Sequence, residues 1–99
     1  MTPRMKQKIA RAAEALKKYG AREVYLFGSL AEGKYTRNSD IDMAVSGLPP
    51  RVFFAAMSDA HKILMRPIDL IDLDDGSLFS EYLKKERLLY NVDQIEKRN

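Results

Sequence analysis

Two aspartates separated by one residue, Asp40 and Asp42, are the side chains in this sequence best suited to chemistry. They open the segment 40–45, which alternates between polar and apolar residues and then becomes apolar throughout, a pattern that predicts a β-strand. Side chains two positions apart on a strand lie on one face, about 6.5–7 Å apart at the backbone. Two carboxylates held that close repel each other, and a divalent cation such as Mg²⁺ relieves the repulsion. A solvated or salt-bridged acidic pair is the alternative interpretation.

A glycine and a serine upstream, Gly28 and Ser29, directly follow the apolar run 24–27. The β-branched and aromatic content of that run predicts a buried strand. A helical turn opening at Ser29 would offer unpaired backbone N–H groups and a hydroxyl to a phosphate chain, and Gly28 would let the backbone approach closely. Gly-Ser alone is typical of an ordinary turn. Together with the acidic pair, it favours a nucleotide and metal site.

These two features together, Gly-Ser at 28–29 and Asp-Ile-Asp at 40–42, resemble the signature of the DNA polymerase beta-like nucleotidyltransferase superfamily. When the comparison is extended to residues 26–29 and 39–45, the sequence looks most like the minimal nucleotidyltransferases (MNT), the antitoxin partners of HEPN-domain toxins. This resemblance covers nearly the whole chain. It implies an α/β (α+β) nucleotidyltransferase fold, with a small mixed β-sheet flanked by helices. It also implies two Mg²⁺ ions and transfer of AMP from ATP to a hydroxyl.

The same resemblance implies a third carboxylate on a later strand between hydrophobic residues, and Asp69 matches it. Asp72 also fits the local pattern, but strand alternation puts it on the opposite face, so we assign the role to Asp69. By this analogy Asp40 and Asp42 would bind the metal ions. Asp69 would complete the metal site and help to deprotonate the accepting hydroxyl.

We predict nucleotide binding by four residues of the motif region: Gly28, Ser29, Arg37 and Ser39. This sequence departs from the commonest pattern of the superfamily, in which arginines follow the Gly-Ser pair, because Leu30 and Glu32 occupy those positions. Glu32 would repel a triphosphate if it faced the site. We therefore expect nucleotide binding to depend more on Ser29, the metal ions and either Lys34 or Arg37. An exposed loop position is the alternative interpretation of both basic residues.

Hydrophobic periodicity and turn residues predict the elements that must position this site. The predicted elements are helix 3–18, strand 24–27, a helical turn and loop over 30–39, strand 40–45, helix 51–65, strand 68–71, a helix N-capped by Ser77, and an edge strand over 88–90. His61 lies on the polar side of helix 51–65 and is assigned no role.

The composition of the 99-residue chain is typical of a soluble globular domain, with 45% hydrophobic residues, a net charge of +3 and no cysteine. The lack of cysteine excludes disulfides and thiolate metal sites and favours a reducing compartment. We expect one minimal nucleotidyltransferase domain over 1–99, located in the cytoplasm and without a membrane-spanning segment. The mild basic excess of the first segment is interpreted as a solvated helix face, so direct nucleic-acid binding is not expected.

Larger members of the superfamily carry extra domains that bind the molecule accepting the nucleotide, and 99 residues leave no room for such a domain. We therefore expect a partner protein to supply the accepting group. The resemblance makes that partner a HEPN-domain toxin and this chain the antitoxin enzyme that adenylylates it, as a monomer or a homo-oligomer. The alternatives are a non-catalytic toxin-binding module and a subunit of a small-molecule or antibiotic nucleotidyltransferase. Phe79, Tyr82 and Leu83, or the first helix, are candidate partner contacts, although each is also an ordinary core position.

Overall fold

The computed structural model describes residues 1–95. Its helices and strands follow each other along the chain in this order: α1 (Pro3–Lys18), β1 (Glu23–Phe27), α2 (Gly28–Ala31), β2 (Ile41–Ser46), a 3₁₀ turn (Pro50–Val52), α3 (Phe53–Leu64), β3 (Ile68–Asp72), α4 (Leu78–Lys85), β4 (Tyr90–Asn91) and α5 (Val92–Ile95). No helix within this part of the chain has the length and apolar character needed to cross a membrane.

The four strands form one mixed sheet in the order β3-β2-β1-β4. β1 lies antiparallel to both β2 and β4, whereas β2 and β3 are parallel. A parallel pair needs a crossover connection, and α3 supplies it between β2 and β3. The predicted fold class, a small mixed sheet flanked by helices, is therefore confirmed.

The sheet has one fully covered face and one face that is partly open. On the covered face, α1 and α3 bury alternate strand residues, including Leu26, Met43 and Val45, which are fully buried. On the other face a smaller cluster forms around Phe27, Ala44 and the α4 residues and loops that cover them. Because few helical residues cover this second face, polar side chains at its edge remain accessible.

Local capping explains where two of the helices begin. The Thr2 hydroxyl accepts a hydrogen bond from the Met5 N–H (3.1 Å) at the start of α1, and Pro3 occupies the first turn, where it costs no hydrogen bond. Ser77 caps α4 in the same way through the Ser80 N–H (3.1 Å). The predicted bounds of the first helix and the predicted cap at Ser77 are both confirmed.

Other predicted bounds differ from the structure. The helix predicted over 51–65 begins with the 3₁₀ turn and ends at Leu64, because Met65 adopts a left-handed conformation with φ of 57°. The edge strand predicted over 88–90 lies at Tyr90–Asn91 instead, and α5, which follows it, was not predicted. The predicted domain limit at residue 99 lies outside the described residues.

Candidate metal and nucleotide site

The pairing of β2 with β3 brings the acidic residues of the two strands together. Asp42 lies opposite Asp69 in the parallel register, so both side chains extend from the partly open face of the sheet. Asp72 lies opposite Val45, on the covered face. The structure therefore places Asp69, and not Asp72, on the same face as Asp42.

Asp40 is held differently from the other two acids, because it precedes β2, which begins at Ile41. The prediction that the strand itself starts at Asp40 is thus wrong by one residue. The direction of the Asp40 side chain depends on the loop that ends at Ser39 as well as on the strand. Asp40 is nevertheless close enough to Asp42 for their charges to interact.

The charges around Asp42 are not balanced by nearby basic groups. Burial raises the pKa of the Asp42 carboxyl above its ordinary value, and the negative charges of Asp69 and then Asp40 raise it further. None of these three carboxylates forms an ion pair with any residue between positions 1 and 95. Like charges left unpaired in this way are suited to binding a cation.

Gly28 is in direct contact with this acidic group. Its φ of +71° is in the left-handed region, and a Cβ built on it would lie 2.2 Å from the Asp42 Oδ2 atom. No side chain fits there without displacing the carboxylate, so the Gly-Ser turn and the acidic pair form one structural unit. The Gly-Ser pair and the acidic pair, which are separated in the sequence, therefore lie together in the folded chain.

Ser29 lies in the first turn of α2, next to this contact. Its hydroxyl forms no hydrogen bond with the residues that the structure describes, and its carbonyl accepts one from the Lys34 N–H (2.8 Å). The first N–H groups of a helix have no partner within the helix. The hydroxyl and these N–H groups are thus donors next to Asp42, as phosphate binding requires.

The loop after α2 carries the remaining residues predicted to bind nucleotide. Arg37 is exposed, and the Ser39 hydroxyl accepts a hydrogen bond from the Thr36 N–H (3.0 Å), which closes the loop. Glu32 lies 3.9 Å from the Lys34 ammonium, and both side chains are exposed. This pair reduces the repulsion that Glu32 would exert on a triphosphate. Nucleotide binding by Arg37 and Ser39 stays a prediction.

Arg66 contacts this loop, and no sequence pattern indicated that it would. It lies between α3 and β3, and its guanidinium donates hydrogen bonds to the carbonyl oxygens of Arg37 and Ser39, the latter at 3.0 Å. The same group lies 4.9 Å from the centroid of the Tyr35 ring. An arginine between a helix and a strand is so common that only the folded chain could show these contacts.

The residues present fit a magnesium site in donor type and in charge. All three acids offer carboxylate oxygens, which Mg²⁺ prefers, and burial followed by their mutual repulsion raises the pKa of Asp42. As the side chains stand, no three metal-ligating groups among residues 1–95 converge closely enough to hold an ion. Asp40 and Asp42 are the residues that would hold the metal, with Asp69 beside them.

The Gly28 contact leads to a prediction with an internal control. Gly28→Ala and Gly76→Ala impose the same backbone strain, because φ is +71° at one position and +72° at the other, but nothing lies within 4 Å of a Cβ at Gly76. We expect both variants to lose about 1–2 kcal/mol of stability. Only Gly28→Ala should also reduce nucleotide transfer, by about 100-fold or more, because it displaces the Asp42 carboxylate. Thermal melts and transfer assays measure the two effects, and equal activity of the two variants would contradict the proposed contact.

Comparison with known proteins identifies a family and several similar solved structures. The family model described as "Polymerase beta, Nucleotidyltransferase" matches residues 7–95, while no curated protein matches the chain. A solved toxin–antitoxin complex with AMP-PNP is 26% identical, with a TM-score of 0.69, over 88% of this chain and 71% of that chain.

Two further solved structures share the fold at lower identity. An MNT antitoxin in complex with a tri-AMPylated HEPN toxin of Shewanella oneidensis is 19% identical, with a TM-score of 0.65, over 94% of this chain and 77% of that chain. A toxin–antitoxin complex named MntA–HepT is 21% identical, with a TM-score of 0.62, over 92% of this chain and 71% of that chain. Since the family model covers almost all of the described residues, the chain belongs to the polymerase beta nucleotidyltransferase family.

Proposed function

We propose that this chain is an antitoxin enzyme that transfers AMP from ATP to a hydroxyl of a HEPN-domain toxin. The observation that carries the proposal is the register of β2 and β3, which sets Asp42 opposite Asp69 on the face where Gly28 contacts the Asp42 carboxylate. Membership of the nucleotidyltransferase family supports the reaction class. The solved toxin–antitoxin complexes with AMP-PNP and with an AMPylated toxin support the substrate and the partner.

In the proposed reaction, the toxin hydroxyl oxygen forms a bond to the α-phosphorus of ATP. The bond from that phosphorus to the bridging oxygen breaks, and pyrophosphate leaves. Asp69 accepts the hydroxyl proton and returns it to solvent, and Asp40 and Asp42 are the residues that would hold the metal. Two bound Mg²⁺ ions would neutralise the charge that develops on the phosphate oxygens.

The triphosphate is proposed to lie against the turn at Gly28 and Ser29. The Ser29 hydroxyl, which has no hydrogen-bond partner among residues 1–95, and the backbone N–H groups of the first turn of α2 are available there, next to the acids. Lys34 and Arg37 are exposed basic groups on the adjoining loop, and Ser39 closes that loop beside Asp40. The basic charge that the superfamily commonly carries directly after the Gly-Ser pair would come from this loop instead. We place the reaction in the cytoplasm, where ATP is available.

The partner surface is proposed to lie on α4. Three large apolar side chains are exposed there: Leu78 at 90%, Phe79 at 47% and Tyr82 at 54%. The Phe79 ring packs edge to face on the Phe27 ring, with centroids 5.9 Å apart, and Phe27 lies opposite Asp42 in the antiparallel register of β1 and β2. The exposed apolar side chains of α4 therefore lie on the same face of the sheet as Asp42, and we propose that the acceptor protein docks there.

Two of the predicted partner contacts do not belong to this surface. Leu83 is only 2% exposed and packs in the smaller core cluster, because it points from α4 towards the sheet. The apolar residues of α1, among them Ile9 and Leu16, are buried in the main core. The HEPN-domain contact is accordingly assigned to Leu78, Phe79 and Tyr82.

Labelled ATP tests the proposed reaction. The purified domain, Mg²⁺ and a HEPN-domain protein, sought first among the products of the neighbouring genes, would be incubated with ATP carrying the label on either the α- or the γ-phosphate. AMP transfer labels the toxin from α-labelled ATP only. Label arriving from γ-labelled ATP would make the chain a kinase, and label from neither would leave it without the proposed activity.

A pair of surface variants tests the docking surface. Leu78→Ser combined with Tyr82→Ser should weaken toxin binding without ATP by about tenfold or more, because truncating a central apolar contact of an interface typically costs over 1 kcal/mol. Phe54→Ser is the matched control, since Phe54 is 75% exposed but lies on α3, on the other face of the sheet. Titration calorimetry measures both affinities. If Phe54→Ser weakens binding and the α4 variant does not, the toxin docks on the other face.

A further inference from the structure

The loop before Asp40 is closed mainly by its own short-range hydrogen bonds. The Ser39 N–H donates to the Thr36 carbonyl (3.0 Å), and the Ser39 hydroxyl contacts both the Thr36 N–H and the Thr36 hydroxyl. These contacts shape the turn but do not attach it to the sheet. Because Asp40 comes directly after this turn, whatever attaches the turn to the sheet also orients Asp40.

Residues Arg66 and Pro67 hold the chain on both sides of Asp40. The Arg66 guanidinium donates to the Ser39 carbonyl (3.0 Å), immediately before Asp40. The Pro67 carbonyl accepts from the Ile41 N–H (3.0 Å), immediately after it. Since Pro67 directly precedes β3, these contacts tie the backbone around Asp40 to the strand that carries Asp69.

Two more contacts fix the Arg66 side chain itself. Its guanidinium also donates to the Arg37 carbonyl, and it lies over the Tyr35 ring at 4.9 Å from the ring centroid. A planar group with several N–H donors can bond two carbonyls and stack on a ring at the same time, which a lysine ammonium cannot do. Within residues 1–95, the hydrogen bonds that Arg66 donates thus end on the segment that leads into Asp40.

We infer that Arg66 is a positioning residue for the metal site, which holds the segment 37–39 so that Asp40 stays beside Asp42, next to the strand that carries Asp69. The inference rests on the proposed function, because it assumes that Asp40 binds the metal. Arg66 touches neither metal nor nucleotide in this role. Its effect on the metal is exerted through the backbone on either side of Asp40.

Metal affinity measured without nucleotide tests this role separately from catalysis. Mn²⁺ titrations followed by electron paramagnetic resonance would compare the wild type with Arg66→Gln, Arg66→Lys and the charge-matched control Arg51→Gln, since Arg51 is exposed on the 3₁₀ turn. We expect Arg66→Gln to weaken Mn²⁺ binding about tenfold, as loss of a group that orients a ligand does. Arg66→Lys should be intermediate and Arg51→Gln unchanged.

A second readout needs neither metal nor activity. Amide hydrogen exchange in the metal-free protein should be about tenfold faster at Ser39 and Ile41 in Arg66→Gln than in the wild type, because local opening of the turn becomes easier. Unchanged exchange at both amides would overturn the inference, as would normal Mn²⁺ affinity together with a raised KM for ATP. The second result would mean that the guanidinium binds the nucleotide itself.

These outcomes separate the inference from the proposed function. If the wild-type protein neither binds Mn²⁺ nor modifies the toxin, the proposed function fails, and with it the metal-positioning role. Faster exchange in Arg66→Gln would then still identify Arg66 as a clamp of the loop alone. If the wild type binds Mn²⁺ and Arg66→Gln binds it equally well, only the role of Arg66 is wrong.

Discussion

Asp40→Asn and Asp42→Asn are each expected to abolish AMP transfer while leaving the fold intact. Each change replaces the carboxylate of a proposed metal ligand by a neutral amide at a position close to the accessible face of the sheet. Loss of the metal's charge stabilisation is worth several kcal/mol in the transition state, so the rate should fall about 10³-fold or more. The amount of label that the toxin receives from ATP labelled on the α-phosphate measures this loss.

Thermal melts without metal provide the control, and the direction of the change can be derived for Asp42. Burial and the neighbouring acids raise the pKa of Asp42 in the folded state. Its ionisation therefore destabilises the fold as the pH rises through that pKa, and the neutral asparagine removes this effect. At neutral pH, Asp42→Asn should melt at the same temperature as the wild type or higher. A lower melting temperature together with lost activity would show that the side chain is structural, against the proposed role.

Asp69→Asn is expected to reduce transfer strongly, whereas Asp72→Asn should leave it nearly unchanged. Asp69 lies opposite Asp42, on the site face, and a positioned general base contributes about 10²–10⁴-fold. Asp72 lies on the other face, where its carboxylate accepts a hydrogen bond from the Asp74 N–H (2.9 Å). Asparagine keeps an oxygen that can accept this bond, so the activity of Asp72→Asn should stay within about twofold of the wild type.

The two variants differ from the wild type by the same chemical change, three residues apart on one strand. Rates measured at saturating ATP and toxin compare the chemical step directly. If the two variants are equally active, Asp69 has no part in the reaction. If Asp72→Asn is the inactive one, the β2–β3 register is not the one that serves catalysis.

Much of the fold follows from local sequence patterns, because each pattern has a local physical cause. Helix α1 could be bounded at both ends from its apolar periodicity and its capping residues, and Ser77 could be identified as the start of α4. The alternation of Asp40, Asp42 and the apolar residues after them predicted one acidic face. These predictions need only residues that are close in sequence.

The site itself depends on contacts between distant parts of the chain. The closeness of Gly28 to the Asp42 carboxylate and the pairing of Asp42 with Asp69 follow from how three strands are ordered in the sheet. The resemblance to a known superfamily predicted this grouping, but strand alternation alone could only separate Asp69 from Asp72. For the partner surface, periodicity could not distinguish Leu83, which is buried, from Tyr82, which is exposed.

The contacts of Arg66 show why the remainder could not be predicted. Its side chain reaches carbonyl groups at positions 37 and 39, and a carbonyl group is present at every residue of the chain. No residue type therefore signals such a contact. Helix α5 was missed for a similar reason: its described residues, Val92–Ile95, are too few to show a periodicity, and the burial of Val92 in the main core stabilises them.

The intact mass of the toxin after co-expression with this chain tests the central claim most directly. With the wild-type domain, the toxin should gain the mass of one or more AMP units and the cells should grow. With Asp40→Asn, the toxin should keep its unmodified mass and growth should stop. Rescue of growth by both proteins while the toxin stays unmodified would contradict the account, because the chain would then neutralise the toxin by binding alone.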